Sequence, residues 1–95
     1  MVILTLNCGS SSAKYQVYDW DEKDVLCVGV VERIGLEYST IEQKSAGKEE
    51  YHERFVSPTH KEAIELILKM LVDPTYGCIK SLDQIGAVGH RVLHG

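Results

Sequence analysis

Val2-Ile-Leu-Thr-Leu6-Asn7-Cys-Gly9-Ser10-Ser-Ser12-Ala-Lys14-Tyr-Gln16-Val-Tyr18 is the stretch on which the fold turns. Its first five residues are apolar apart from Thr5, with β-branched Val2 and Ile3 at the start, the composition of a buried strand. Cys8-Gly9-Ser10-Ser11 is a turn cluster. From Ser12 to Trp20 the pattern alternates, with Ala13, Tyr15 and Val17 on one face and Ser12, Lys14, Gln16 and Tyr18 on the other. Two strands joined by a Gly/Ser tip make an N-terminal hairpin. A helix after the tip would have meant a different fold, because a strand–Gly-loop–helix is the start of a P-loop protein.

Asp21-Glu-Lys-Asp24 is a second polar turn, and Val25 to Val31 returns as a third strand. That strand is apolar except for Gly29, and burial on both faces is expected of it. Glu32-Arg33-Ile34-Gly35 reads as a short helical turn stopped by its glycine. Tyr38–Gln43 and Glu50–Val56 read as two strands around Ser45-Ala-Gly47-Lys48. One helix follows. Ser57-Pro58 offers a cap with proline at the first helical position, and Thr59-His-Lys-Glu62 offers a capping box one register later. Ala63, Ile64, Ile67, Leu68 and Leu71 fall on one helical face, and Asp73-Pro74 ends the run. Ile85-Gly-Ala-Val-Gly89 is expected to be another buried strand, delivering His90 and Arg91 at its end. The order is strand, strand, strand, two further strands, helix, strand. It predicts an α+β (α/β) domain, a mixed β-sheet with a packed helix.

The composition narrows the functional classes. Of 95 residues, 44% are hydrophobic and 25% charged, which is ordinary for a globular domain. Ten basic residues against 14 acidic leave a net charge of −4, so the basic footprint of a nucleic-acid binder is missing. No apolar run approaches the ~20 residues of a membrane span. Cys8, Cys27 and Cys78 form neither a disulfide framework nor a zinc pattern, and the N-terminus lacks the basic start of a secretory signal. Reduced thiols in a cytoplasmic protein are expected. The sequence stops at Leu93-His-Gly95, on the shoulder of a strand, which suggests a piece of something longer.

The chemistry-bearing residues gather at strand ends. Backbone amides at a Gly/Ser turn can converge on a phosphate, with serine hydroxyls as further donors and Lys14 as a point charge. The same turn is equally a plain polar hairpin. Asn7 ends the first strand, where a carboxamide can face a metal-bound phosphate or merely cap a turn. Arg91 lies where ligands collect in open α/β sheets, and can clamp a carboxylate or phosphate bidentately or serve as a surface ion pair. His90 and His94, four apart on a strand, are ~13 Å from each other and cannot share a metal. Asp19 to Val30 starts like a calcium loop but has Lys23 and Asp24 at its fifth and sixth positions and Val30 at its twelfth, so it is a solvated turn.

Taken together, Ile3-Leu-Thr-Leu-Asn7-Cys-Gly-Ser10-Ser-Ser12-Ala-Lys14 closely resembles the N-terminal signature of acetate kinases. Val31-Glu-Arg-Ile-Gly35, the helix from Pro58, Ser81-Leu-Asp83 and Val88-Gly-His-Arg91-Val-Leu-His-Gly95 resemble the same family in the same order. The resemblance implies the ribonuclease H-like, actin-like ATPase fold shared with sugar kinases and chaperone ATPases. Residues 1–95 are then the N-terminal part of the first ribonuclease H-like domain. The implied reaction is reversible phosphoryl transfer between ATP and acetate, giving ADP and acetyl phosphate, with Mg²⁺ (or Mn²⁺). The resemblance assigns Asn7 to the metal and Gly9, Ser10, Ser12 and Lys14 to the ATP phosphates, Lys14 also being catalytic. Arg91 takes the acetate or acetyl phosphate and is catalytic as well. It further implies a homodimer at full length and an inactive segment in isolation. The alternatives are a kinase for propionate or another short-chain acid, and a non-catalytic module that binds phosphate or self-associates through a sheet edge.

Overall fold

The structure, a computed structural model, describes residues 1–92; the expectations that fall on Leu93, His94 and Gly95 lie outside the described residues. Six strands form one sheet: β1 (Val2–Cys8), β2 (Ala13–Asp19), β3 (Asp24–Glu32), β4 (Ser39–Ser45), β5 (Tyr51–Phe55) and β6 (Ile85–Val92). Their order across the sheet is β5-β4-β3-β2-β1-β6. Strands β1 to β5 run as an antiparallel meander, while β6 lies parallel to β1 on its other side. The helix α1 (His60–Leu71) and a 3₁₀ turn at Leu82–Gln84 make the long connection that a parallel pair requires.

The period-2 pattern of β2 is realised as read: Ala13, Tyr15 and Val17 are buried and Lys14 is exposed. Leu4, Leu6 and Cys8 of β1, Cys27 and Val31 of β3 and Ile41 of β4 share that face. Helix α1 packs on it through Ala63, Ile67, Met70 and Leu71, a stripe turned slightly from the expected one, with Ile64 and Leu68 left half-buried. Full burial of a residue such as Leu4, Ile41, Ile67 or Leu71 stabilises by roughly 1.5–3 kcal/mol each. Gly29 is needed on this face, because a Cβ there would meet the Tyr15 ring at 2.2 Å.

Within the core sits a satisfied polar network. The Tyr15 hydroxyl donates to Gln43 Oε1 at 2.6 Å, and Gln43 Nε2 donates to the carbonyls of Met70 (3.0 Å) and Tyr76 (3.1 Å). Ser45 Oγ donates to Tyr76 O at 2.6 Å, so β4 is tied to the end of α1 and the loop beyond it.

Four expectations are corrected. β3 is not buried on both faces: Val25 and Val28 are 40% and 43% exposed, because the only helix among the described residues covers one face. β6 is not buried either, with Val88 60% exposed, since among the described residues it is an edge strand that pairs with β1 alone. It also runs to Val92, so His90 and Arg91 stand inside the strand rather than past its end. Glu32–Gly35 is no helical turn but a reversal in which Arg33 (φ 61°) and Gly35 (φ 87°) both take left-handed backbone. Of the two capping frames, Thr59 is the one used and Ser57-Pro58 precedes it.

Candidate functional site

Register brings the candidate residues to one place. Asn7 is directly opposite Lys14 on β2 and directly opposite Arg91 on β6. The three therefore occupy one cross-strand row on adjacent strands, each step ~4.8 Å. Asn7 is half-buried and opens on a groove of about 360 Å³ with Thr5, Gly89 and His90, while the Lys14 side chain is exposed. Asn7 and Lys14 lie on the face that α1 leaves open.

Above this row stands the tip, Gly9 to Ser12. The Gly9 amide donates to Ser12 O at 2.9 Å, closing a turn in which Ser10 and Ser11 are exposed. Two other segments hold it. The Ile34 amide, inside the left-handed reversal, donates to Ser11 O at 2.9 Å. The ring of His60, first residue of α1, bonds through Nε2 to Gly9 O at 2.9 Å. Those two segments are themselves joined, Gly35 N donating to Ser57 O at 2.8 Å. Tip, reversal and helix start thus form a closed ring of three contacts.

Each corner has its own local cause. The Arg33 backbone is unfavourable by about 1–2 kcal/mol for a residue with a Cβ. Its guanidinium stacks on the Tyr38 ring at 4.3 Å, beside Arg54 at 4.5 Å, which offsets part of that cost. At the helix start Thr59 Oγ1 accepts from Lys61 N, and Glu62 reaches back to Thr59 N at 3.0 Å. The hydrogen bond from the Thr59 hydroxyl is the main reason the Glu62 carboxyl sits below its ordinary pKa. A capped first turn fixes where the His60 ring points.

The sequence reading placed Asn7, Gly9, Ser10, Ser12, Lys14 and Arg91 at one site, and the backbone brings all six to one corner of the sheet. It overlooked His60 and the Arg33–Gly35 reversal. Both contacts run over long sequence separations, 51 residues for His60 to Gly9, and have no periodic signal. His90 falls in the other register, opposite Leu6, and its ring lies 3.5 Å from Cys8 Sγ on the helix side. Glu42, Glu50 and His52 form a separate cluster on β4 and β5. All three are exposed, with the imidazole 3.6 and 3.2 Å from the two carboxylates, so they satisfy one another.

Among known proteins, the acetokinase family profile matches residues 2–95. An acetate kinase of Geobacter metallireducens is 50% identical over the whole chain, which covers 23% of that protein. Acetate kinase 2 of Clostridium perfringens is 52% identical, with 24% of its length covered. The solved acetate kinase of Porphyromonas gingivalis superposes with a TM-score of 0.89 at 45% identity, over 99% of this chain and 24% of that one. A propionate kinase from Francisella tularensis gives 0.80 at 31% identity, over 99% and 23%. The chain spans about a quarter of the length of these relatives. Its sheet and helix are the N-terminal portion of the actin-like ATPase fold. With the profile covering all but one residue, the chain belongs to the acetokinase family.

Proposed function

We propose that this chain forms the phosphate-handling corner of an acetate kinase, an enzyme that moves a phosphoryl group reversibly between ATP and acetate. The observation that carries the reading is the row Lys14–Asn7–Arg91 beneath the braced Gly9–Ser12 tip. In this reading residues 1–95 are the opening part of the first ribonuclease H-like domain, and the rest of the site comes from the remaining length of the enzyme.

The chemistry asked of this corner is modest. Acetate is already ionised at neutral pH, so attack on phosphorus needs no general base. What it needs is in-line positioning and positive charge on the phosphoryl oxygens. Lys14 supplies that charge, the turn closed by Gly9 offers the Ser10–Ser12 amides and the Ser10 and Ser12 hydroxyls to orient the phosphate, and Arg91 clamps the carboxylate or acetyl phosphate. The donors beside Asn7 are a carboxamide and hydroxyls, with no carboxylate among the described residues that line its groove. Such a set fits Mg²⁺ (or Mn²⁺) that arrives with phosphate oxygens, Asn7 facing it. When bound, the ion adds charge to the transferring group. The three free thiols suit the reducing cytoplasm, and the full-length enzyme is read as a homodimer.

The test is acetyl phosphate formation by the full-length enzyme. Lys14→Met and Arg91→Ala are each expected to lower kcat/KM by roughly 10²–10³-fold, as loss of a charge aimed at the transition state does. Arg91→Ala should also raise the KM for acetate. The 95-residue chain alone should form none. Robust turnover by the chain alone, or unchanged kinetics in both variants, would sink the proposal. The likeness to a propionate kinase favours a second reading, a kinase for another short-chain acid. Rates with acetate and propionate separate the two.

A further inference from the structure

We infer that His60 is a positioning residue for the serine-rich tip: its Nε2–H holds the Gly9 carbonyl and so keeps the Ser10–Ser12 amides arranged to receive a phosphate. The inference rests on the phosphate-binding reading of the tip and extends it to a residue on a different element. A carbonyl oxygen can only accept, so at 2.9 Å the ring nitrogen facing Gly9 O must carry the hydrogen. The group it grips matters. Gly9 N and Ser12 O close the tip, so the peptide units on either side of Gly9 are held by the turn on one side and by the imidazole on the other.

The other two links of the ring are backbone to backbone, from Ile34 to Ser11 and from Gly35 to Ser57. His60 supplies the link that depends on a side chain, and is the corner a single substitution can open without touching the sheet. The tip is otherwise short of constraints. Ser10 and Ser11 are exposed, so packing alone does not fix its shape. The capping box holds His60 from behind, since Thr59 and Glu62 set the first turn on which the ring stands. The ring also lies beside Cys8, Ile64 and His90 along a groove of about 270 Å³.

The experiment is NMR on the 95-residue chain with inorganic phosphate as the probe. Long-range ¹H–¹⁵N correlations read the His60 tautomer, and amide shifts follow Gly9–Ser12 during the titration. His60→Leu removes the donor at similar volume, while His60→Gln returns an N–H at about the reach of Nε2. The expected result is an Nε2–H ring in the parent and shifted Gly9–Ser12 amides in His60→Leu. Phosphate affinity should fall about three- to tenfold in that variant, the worth of one hydrogen bond, and recover in His60→Gln. Helix amides that keep their dispersion in His60→Gln separate positioning from folding. An Nδ1–H ring overturns the inference, as do unmoved tip amides with parental affinity in His60→Leu. If the parent fails to bind phosphate while the ring is Nε2–H and His60→Leu still moves the tip, the brace stands and the phosphate-binding reading falls.

Discussion

Tyr15 shows what a single position on the core face of β2 is made to do. Its ring fills the space that Gly29 leaves vacant, and its hydroxyl reaches Gln43 at 2.6 Å where no water competes. Tyr15→Phe keeps the ring but strands Gln43 Oε1, and an unsatisfied buried acceptor costs roughly 1–3 kcal/mol. Urea unfolding at neutral pH should show that loss with an unchanged m-value. Burial also holds the Tyr15 phenol above its usual pKa of 10.0. The folded state therefore keeps the proton while the unfolded chain releases it. The contribution is fully present below the unfolded value and drains away as pH rises beyond it, by about 1.4 kcal/mol per pH unit. The gap between parent and Tyr15→Phe should narrow on that alkaline limb. A constant gap from neutral pH to above 10 would mean that Tyr15 ionises freely in the fold.

At the scale of elements, the helix start joins stability to the site. Thr59→Ala removes the acceptor for Lys61 N and should cost about 1 kcal/mol. Glu62 adds a pH dependence of the opposite sense to that of Tyr15. Its folded pKa is lowered by the Thr59 hydroxyl first of all, so its contribution exists above the ordinary carboxyl value of 4.5 and is lost as pH falls through the lowered one. Acid titration followed at the α1 amides should show the first turn fraying in the parent, and Glu62→Gln should flatten that response. If the two curves coincide, the reciprocal cap contributes nothing. The strands were readable wherever one face is covered. Ala13, Tyr15 and Val17 alternate because α1 lies over them, and Ala63, Ile67 and Leu71 betray the helix for the same reason. Reading failed where burial is set by what lies beyond a strand. Val28 and Val88 have the composition of interior residues but are 43% and 60% exposed among the described residues. The Arg33 reversal escaped because left-handed backbone in a residue with a Cβ is paid for by stacking on Tyr38, five positions on, and no local pattern announces that. For the site, Asn7, Lys14 and the serines were visible in one hairpin, whereas His60 reaches the tip only through tertiary structure.

For the whole molecule, the two free edges of the sheet are built differently. β5 ends the sheet with Tyr51-His-Glu-Arg-Phe55, whose exposed charged residues are a common guard against edge pairing. β6, Ile85–Val92, ends it on the other side; its first five residues, Ile85-Gly-Ala-Val-Gly89, carry no charge, Arg91 coming only near its end, and Val88 is 60% exposed. Among the described residues no strand pairs with the outer edge of β6. The open face of the sheet next to it carries Ile3 and Thr5, opposite Ala87 and Gly89. An uncharged apolar stretch of edge beside an uncovered face is a template for a second copy. The 95-residue chain by itself should therefore self-associate, its sedimentation coefficient rising with concentration. Val88→Lys places a charge in the middle of that edge and should return the chain to a monomer. Because Val88 is exposed and packs against no helix, the substitution should leave the urea midpoint within about 0.5 kcal/mol of the parent. A parent chain that sediments as a monomer at every concentration would mean that the β6 edge is sealed by its own backbone solvation. Association that survives Val88→Lys would move the contact to the open face over β1, β2 and β3, where Val28 is the exposed apolar residue to change next.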